Sequence, residues 1–216
     1  MTMLTTEKIN ELLQIDDSYK APSQLMKILF DREKREELFK KFLGIECDMT
    51  FDWFHIYFQD EHADRKNHKQ DFTPDEISEL LSKLVQSDSS NYNSFDVTAG
   101  SGGLLIQKWQ HDRVNTPFWQ YKPSLFLYGC EELSDRAIPF LLFNLLIRGM
   151  NATVVHGDAL TRAVKQVYFI QNTTDNMLDF SDLNVMPHSN WATEEFNVKT
   201  WSEEPIVHIE TEKWWE

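Results

Sequence analysis

The chain has 216 residues, with 21 Lys and Arg against 35 Asp and Glu, a formal net charge of −14 at pH 7. Hydrophobic residues at 41%, with 13% aromatics, exclude a disordered chain and argue for a packed core. The acid excess disfavours a protein that grips a nucleic-acid duplex over a large face by itself, because Lys and Arg supply most of that affinity. Two cysteines without a CxxC, Cys47 and Cys130, exclude a disulfide scaffold and a cysteine zinc site. Together with the lack of a membrane-length apolar run or a signal-peptide core in Met1–Gln14, they predict a cytoplasmic protein with no membrane partner.

In chain order, residues 1–90 read as a helical N-terminal segment and 91–216 as an α/β core with a short β-rich tail. Glu7–Ile15 is a short helix. Ser23 is set to cap a long one over Gln24–Leu43, whose Leu25, Ile28, Leu29, Leu38, Phe39 and Phe42 form an apolar stripe at helical spacing. The basic residues of that stretch (Arg32, Lys34, Arg35, Lys40, Lys41) alternate with acids and predict a solvated face of i,i+4 pairs. Phe51–Phe58 is an aromatic helix with its rings in the core. His62 and His68 stand in a polar loop with acids, at no metal-ligand spacing, so no metal is expected. Asp71–Pro74 then opens a helix, with Thr73 as cap and Pro74 at its first turn.

From Asn91 the texture becomes that of βαβ units. Ser94–Thr98, Ser124–Cys130, Thr153–Val155 and Gln166–Ile170 read as strands, and Leu104–Gln110 and Ser134–Arg148 as helices. Asn197–Trp201 and Ile206–Glu210 read as short antiparallel strands before Trp214 and Trp215.

The chemistry concentrates at strand ends. Asp96-Val-Thr-Ala-Gly-Ser-Gly-Gly103 is a strand ending in an acid, followed by a glycine turn that feeds a helix. Glycines let a ligand approach the bare backbone, and a helix N-terminus offers free N–H groups. An acid before the turn repels pyrophosphate but suits a ligand with an ammonium and a sulfonium, such as S-adenosylmethionine. The second strand ends at Glu131, where a carboxylate can accept from ribose hydroxyls, and the third at Asp158, on the adenine side. Ser101 does not match GxSxG, so it is no hydrolase nucleophile.

This ordered set, preceded by Phe72-Thr-Pro74, resembles the methylation subunit of type I restriction–modification systems, an N6-adenine DNA methyltransferase family. The likeness runs from about Phe51 to Leu160. It implies a Rossmann-like, S-adenosylmethionine-dependent methyltransferase fold of the α/β class. It also implies that the cofactor is held by Phe72, Thr73, Asp96, Ala99, Gly100, Ser101, Gly102, Gly103, Glu131 and Asp158. Phe143-Asn-Leu-Leu-Ile-Arg-Gly149 is similar to the family's Asn-Leu-x-Leu-x-Gly helix end. The family's catalytic Asn-Pro-Pro-Phe or Asn-Pro-Pro-Tyr should follow the fourth strand. This chain has Asn172-Thr-Thr-Asp175. On the resemblance, Asn172 would accept hydrogen bonds from the target amino group. Asp175 puts a carboxylate where a ring should stack on a flipped base. Loss of both prolines removes the rigidity that holds the Asn.

The resulting expectation is an S-adenosylmethionine-binding, methyltransferase-like protein, weak or inactive alone, that meets a DNA acceptor through a partner subunit, since about forty residues follow Asp175. The alternative is a non-catalytic acidic partner or decoy of a nucleic-acid-processing complex, of the kind phages and other mobile elements carry. A third is an enzyme with a different acceptor.

Overall fold

The computed structural model describes residues 4–55, 57 and 93–211. Three helices come first: α1 (Thr6–Leu13), α2 (Ala21–Leu29) and α3 (Arg32–Leu43). The single long helix expected over Gln24–Leu43 is therefore two. Asp31 breaks it by accepting the Lys34 N–H at 3.2 Å, which makes it the N-cap of α3. Ser23 sits inside α2, and its hydroxyl donates to Lys20 O at 3.0 Å.

The sheet contains β1 (Asn93–Asp96), β2 (Leu127–Glu132), β3 (Ala152–Gly157), β4 (Ala163–Gln171), β5 (Asp182–Val185) and β6 (Thr200–Trp201). β1, β2 and β3 run parallel in chain order, joined by α4 (Gly103–Asn115) and α5 (Ile138–Ile147). This is the βαβ half that the apolar pattern predicts.

The second half is a correction. No helix joins β3 to β4; residues 158–162 turn the chain back, and β4 pairs antiparallel to β3. A parallel return needs a crossover of roughly a dozen residues or more, so this link can only close a hairpin. β5 pairs antiparallel to β4, and β6 pairs parallel to it. Asn197–Trp201 reduces to the two residues of β6. Ile206–Glu210 is extended but lies outside any strand, held to β5 by a hydrogen bond from Val185 N to His208 O at 2.8 Å. A short helix, α6 (Asn190–Glu195), precedes β6.

Register lines up Cys130, Val154, Tyr168 and Val185 across the sheet, all buried. On that face they share one core with α5 and the N-terminal helices. α5 is apolar except for Asn144 and every residue in it is buried, as expected for a helix packed on both sides. The rings of Phe39, Phe42, Trp53, Phe54 and Phe143 meet with centroids 4.8–6.5 Å apart, which puts Trp53 and Phe54 in the core. Residues 51–54 form a turn rather than the expected helix, Phe51 is partly buried, and Phe58 lies outside the described residues. The opposite face carries a smaller cluster of Val155, Val164, Val167, Met186 and Val198, closed by Phe169, Phe196 and Trp201.

Arg35 departs from the solvated face drawn for it. It is 1% exposed and binds Glu210 through two bonds, Nη1 to Oε1 at 2.8 Å and Nη2 to Oε2 at 2.6 Å. The N-terminal helices and the C-terminal strap are thus stapled by a buried ion pair. The other basic residues keep partners at the surface, such as Lys41 with Glu37 at 2.7 Å.

Among the described residues no helix is long and apolar enough to cross a membrane, and no group of His, Cys, Asp and Glu could hold a metal ion. Phe72 and Thr73, the helix opened by Pro74, the loop with His62 and His68, and Trp214 and Trp215 lie outside the described residues.

Candidate functional site at the strand ends

Parallel strands end together, so the turn after β1, the end of β2 and the end of β3 form one rim. Register puts Asp96 beside Cys130 and Glu132 beside His156, and Ala99 N donates to Glu131 O at 3.0 Å. The structure thereby brings Asp96, Ala99, the Gly100–Gly103 turn, Glu131 and Asp158 to the same edge.

The glycine turn is built for close approach. Gly102 is the N-cap of α4 at φ +96°, and a Cβ there would lie 2.9 Å from Leu141 Cδ1, so only glycine serves. A Cβ on Gly103 would meet nothing within 4 Å, leaving open space against the backbone. The side chain of Ser101 points the other way. It is 2% exposed and its hydroxyl donates in a short bond to Asp52. Asp52 also accepts from Asn144 Nδ2 at 2.8 Å, and the same Asn144 amide donates to Ser101 O at 2.8 Å.

Arg148, fully buried, donates to Asn144 Oδ1 at 2.8 Å and to the carbonyls of Met49 and Phe51 at 2.9 and 2.7 Å. Burial pulls its guanidinium down to about 10, with Asp52 and Asp48 acting against that shift. This network fixes the back of the turn to α5 and to the aromatic segment. Asn144, Arg148 and Gly149 belong to the helix-end motif seen in the sequence. Asp52 carried no such signal.

Asp96 is half-buried and accepts one bond, from Thr98 N at 3.2 Å. Burial pushes its carboxyl above the usual carboxylate range, and the Thr98 bond offsets only part of that. Among the described residues no cation pairs with it. Glu131 is the opposite case. It is 4% exposed, and both its oxygens accept from Arg162 Nη1, at 2.8 and 2.6 Å. Its neighbour Glu132, which the sequence did not single out, reaches back to the turn. Its Oε2 accepts from Gly100 N at 2.7 Å and its Oε1 from Ser134 N at 2.7 Å. Asp158 caps its own turn by accepting from Leu160 N at 2.8 Å and Thr161 N at 3.2 Å, bonds that hold its carboxyl below the usual range.

For S-adenosylmethionine the fit is therefore split. The methionine end meets an uncompensated carboxylate and a bare-backbone turn. At the ribose end the carboxylate is already engaged.

Asn172 and Asp175 do not join this rim. Because β4 runs antiparallel, its end lies with the start of β3: Asn172 N donates to Asn151 Oδ1 at 2.7 Å. The Asn172 amide donates to the carbonyls of Gly149, Asn176 and Asp179 at 3.2, 2.8 and 3.3 Å, and its oxygen accepts from Thr174 Oγ1 and Asn176 N. Asp175 accepts from Ser124 N at 2.8 Å. Both residues expected to act beside the cofactor sit at the opposite end of the sheet, and the reason is the hairpin that reverses β4.

Comparison with known proteins gives two findings. The family model for N-6 DNA methylase matches residues 50–214. The fold is similar to that of a modification subunit of a putative type I restriction enzyme from Vibrio vulnificus YJ016, at 12% identity and a TM-score of 0.43. That likeness covers 62% of this chain and 27% of the other, so the chain spans about a quarter of its length. No curated protein matches.

Proposed function

For a chain that belongs to the N-6 DNA methylase family, we propose a cofactor-binding role: the strand-end rim takes S-adenosylmethionine, and acceptor chemistry is supplied by a partner protein. The observation that carries this reading is Asp96, a half-buried carboxylate that no cation among the described residues pairs, beside a turn that only glycine can make. Desolvating a carboxylate costs free energy unless a partner compensates it, and an α-ammonium is a partner of the right charge. The Gly103 backbone leaves room for the ligand, and on this reading the turn that Asp158 caps lies on the adenine side. When bound, the cofactor supplies an electrophilic methyl group. The residues of this chain orient it and keep the turn rigid.

A role as a non-catalytic component is favoured over an enzyme acting alone by the position of Asn172, whose amide is spent on three backbone carbonyls away from the rim. The proposed partner is a protein that presents DNA, in keeping with the net charge of −14, which gives this chain little means of holding phosphates itself.

The test is calorimetric titration of the full chain with S-adenosylmethionine and S-adenosylhomocysteine, for wild type and Asp96→Ala. Binding by wild type and its loss in the variant are expected. Equal affinity in both would remove Asp96 from the site. Labelled-methyl transfer to DNA by the chain alone is expected to stay at background.

A further inference from the structure

We propose that Arg162 sets the affinity of this rim for its nucleoside, as an internal cation that competes with the ligand for Glu131. The inference rests on the cofactor reading above. Arg162 occupies the turn between β3 and β4 with φ +61°, a left-handed conformation that side-chain-bearing residues avoid. Its contacts hold it there. The backbone N–H donates to Asp158 O at 2.8 Å, and the carbonyl accepts from Lys199 N at 3.0 Å. The guanidinium spans a gap: Nη1 to both oxygens of Glu131, Nη2 to Phe196 O at 2.6 Å and Nε to Asn197 O at 3.2 Å. One side chain therefore ties the end of β2 to the segment that follows α6.

A ribose offers neutral hydroxyl donors. Charge-assisted bonds from a guanidinium are roughly twice as strong as neutral ones, so a diol does not displace Arg162 from Glu131 on equal terms. A ligand that uses Glu131 must first move the arginine, and its apparent affinity falls by the fraction of molecules in which the carboxylate is free. The carbonyls of Phe196 and Asn197 hold the other side of the fork, so the C-terminal segment strengthens the lock. Asp96, at the far side of the turn, has no such competitor among the described residues. The two ends of the rim thus differ in kind: one is ready for a cation and the other is closed by one.

The experiment is titration with S-adenosylhomocysteine of wild type, Arg162→Gly and Arg162→Lys. Glycine suits the left-handed backbone and removes the guanidinium, while lysine keeps a charge but not the fork. Binding about tenfold or more tighter in Arg162→Gly than in wild type, with Arg162→Lys between, is expected. Should Arg162→Gly fail to fold, Arg162→Asn, also tolerant of this conformation, replaces it with the same expectation. Equal or weaker affinity in these variants overturns the competitor role and leaves the cofactor reading standing, provided wild-type binding is lost on Asp96→Ala. No binding by any of them overturns both.

Discussion

The antiparallel half of the sheet and one point on the strand-end rim of the parallel half, Asp96, differ in how their carboxylates and amides are matched. In the antiparallel half, several buried polar side chains are matched. Asn172 satisfies three carbonyls, Asp182 accepts from Thr173 Oγ1 at 2.7 Å and pairs with Arg32 at 2.9 Å, and Asn184 Oδ1 accepts from Glu210 N and Thr211 N. On the rim of the parallel half, Asp96 is a desolvated carboxylate that no cation among the described residues pairs. Groups that are fully paired contribute stability and specificity of fold. A group left desolvated and unpaired costs stability and can be repaid only by a ligand. The contrast separates groups that hold the molecule together from the rim to which the proposed function assigns a ligand.

The strongest way to break the comparison is Arg35→Ala. It strands Glu210, whose burial raises its pKa but whose bonds and charge contact with Arg35, helped by Leu183 N–H and His208, bring it below its ordinary 4.5. Removing one partner of a buried ion pair costs about 3–5 kcal/mol. Urea denaturation should show a loss of that size, with S-adenosylhomocysteine affinity unchanged in the folded fraction. The sign of the pH effect follows from the lowered value. The contribution of Glu210 is fully present above about pH 4.5, the ordinary value, and is lost as pH falls through its folded value. Wild type should therefore destabilise on acidification there more steeply than Arg35→Ala does.

Asn172→Ala comes next. It leaves the carbonyls of Gly149, Asn176 and Asp179 without their donor, for about 1–3 kcal/mol. Thermal or urea unfolding should register it, while cofactor affinity stays within twofold of wild type. A selective loss of affinity without loss of stability would place Asn172 back in the site.

The smallest effect has the opposite sign. A raised carboxyl pKa means that Asp96 opposes folding as pH rises from its ordinary 3.8 through its folded value and beyond. Asp96→Asn keeps the acceptor for Thr98 N and removes the charge. It should raise the melting temperature at pH 7 by a degree or two, leave it unchanged near pH 3, and weaken ligand binding. A lower melting temperature at pH 7 would show that Asp96 is paired and that the two halves do not differ in the way drawn here.

Local pattern carried the first half of the fold. The stripe of Leu25, Leu29, Leu38, Phe39 and Phe42, the run Ile138–Ile147 that is apolar but for Asn144, and the strand–glycine–helix passage at Asp96 each depend on neighbours in the chain, so they were readable from it. β5 and α6 were not. All four residues of Asp182–Val185 are buried, yet two are polar, and their partners come from α3, β4 and the C-terminal strap. A strand whose polar residues are satisfied by distant groups shows no alternation. Arg35 misled for the same reason, since its carboxylate is 175 positions away. The direction of β4 did have a signal, the shortness of the link after Gly157, which outweighs the apolar pattern of the strand itself.

By itself the sequence determined the strand, glycine turn and helix start at Asp96, because they are contiguous and their backbone demands are local. Tertiary structure alone decided which of those acids is free. Asp96 and Glu131 are alike as strand-end acids in the sequence, and only the fold brings Arg162, held by the carbonyls after α6, to Glu131 and, among the described residues, no cation to Asp96.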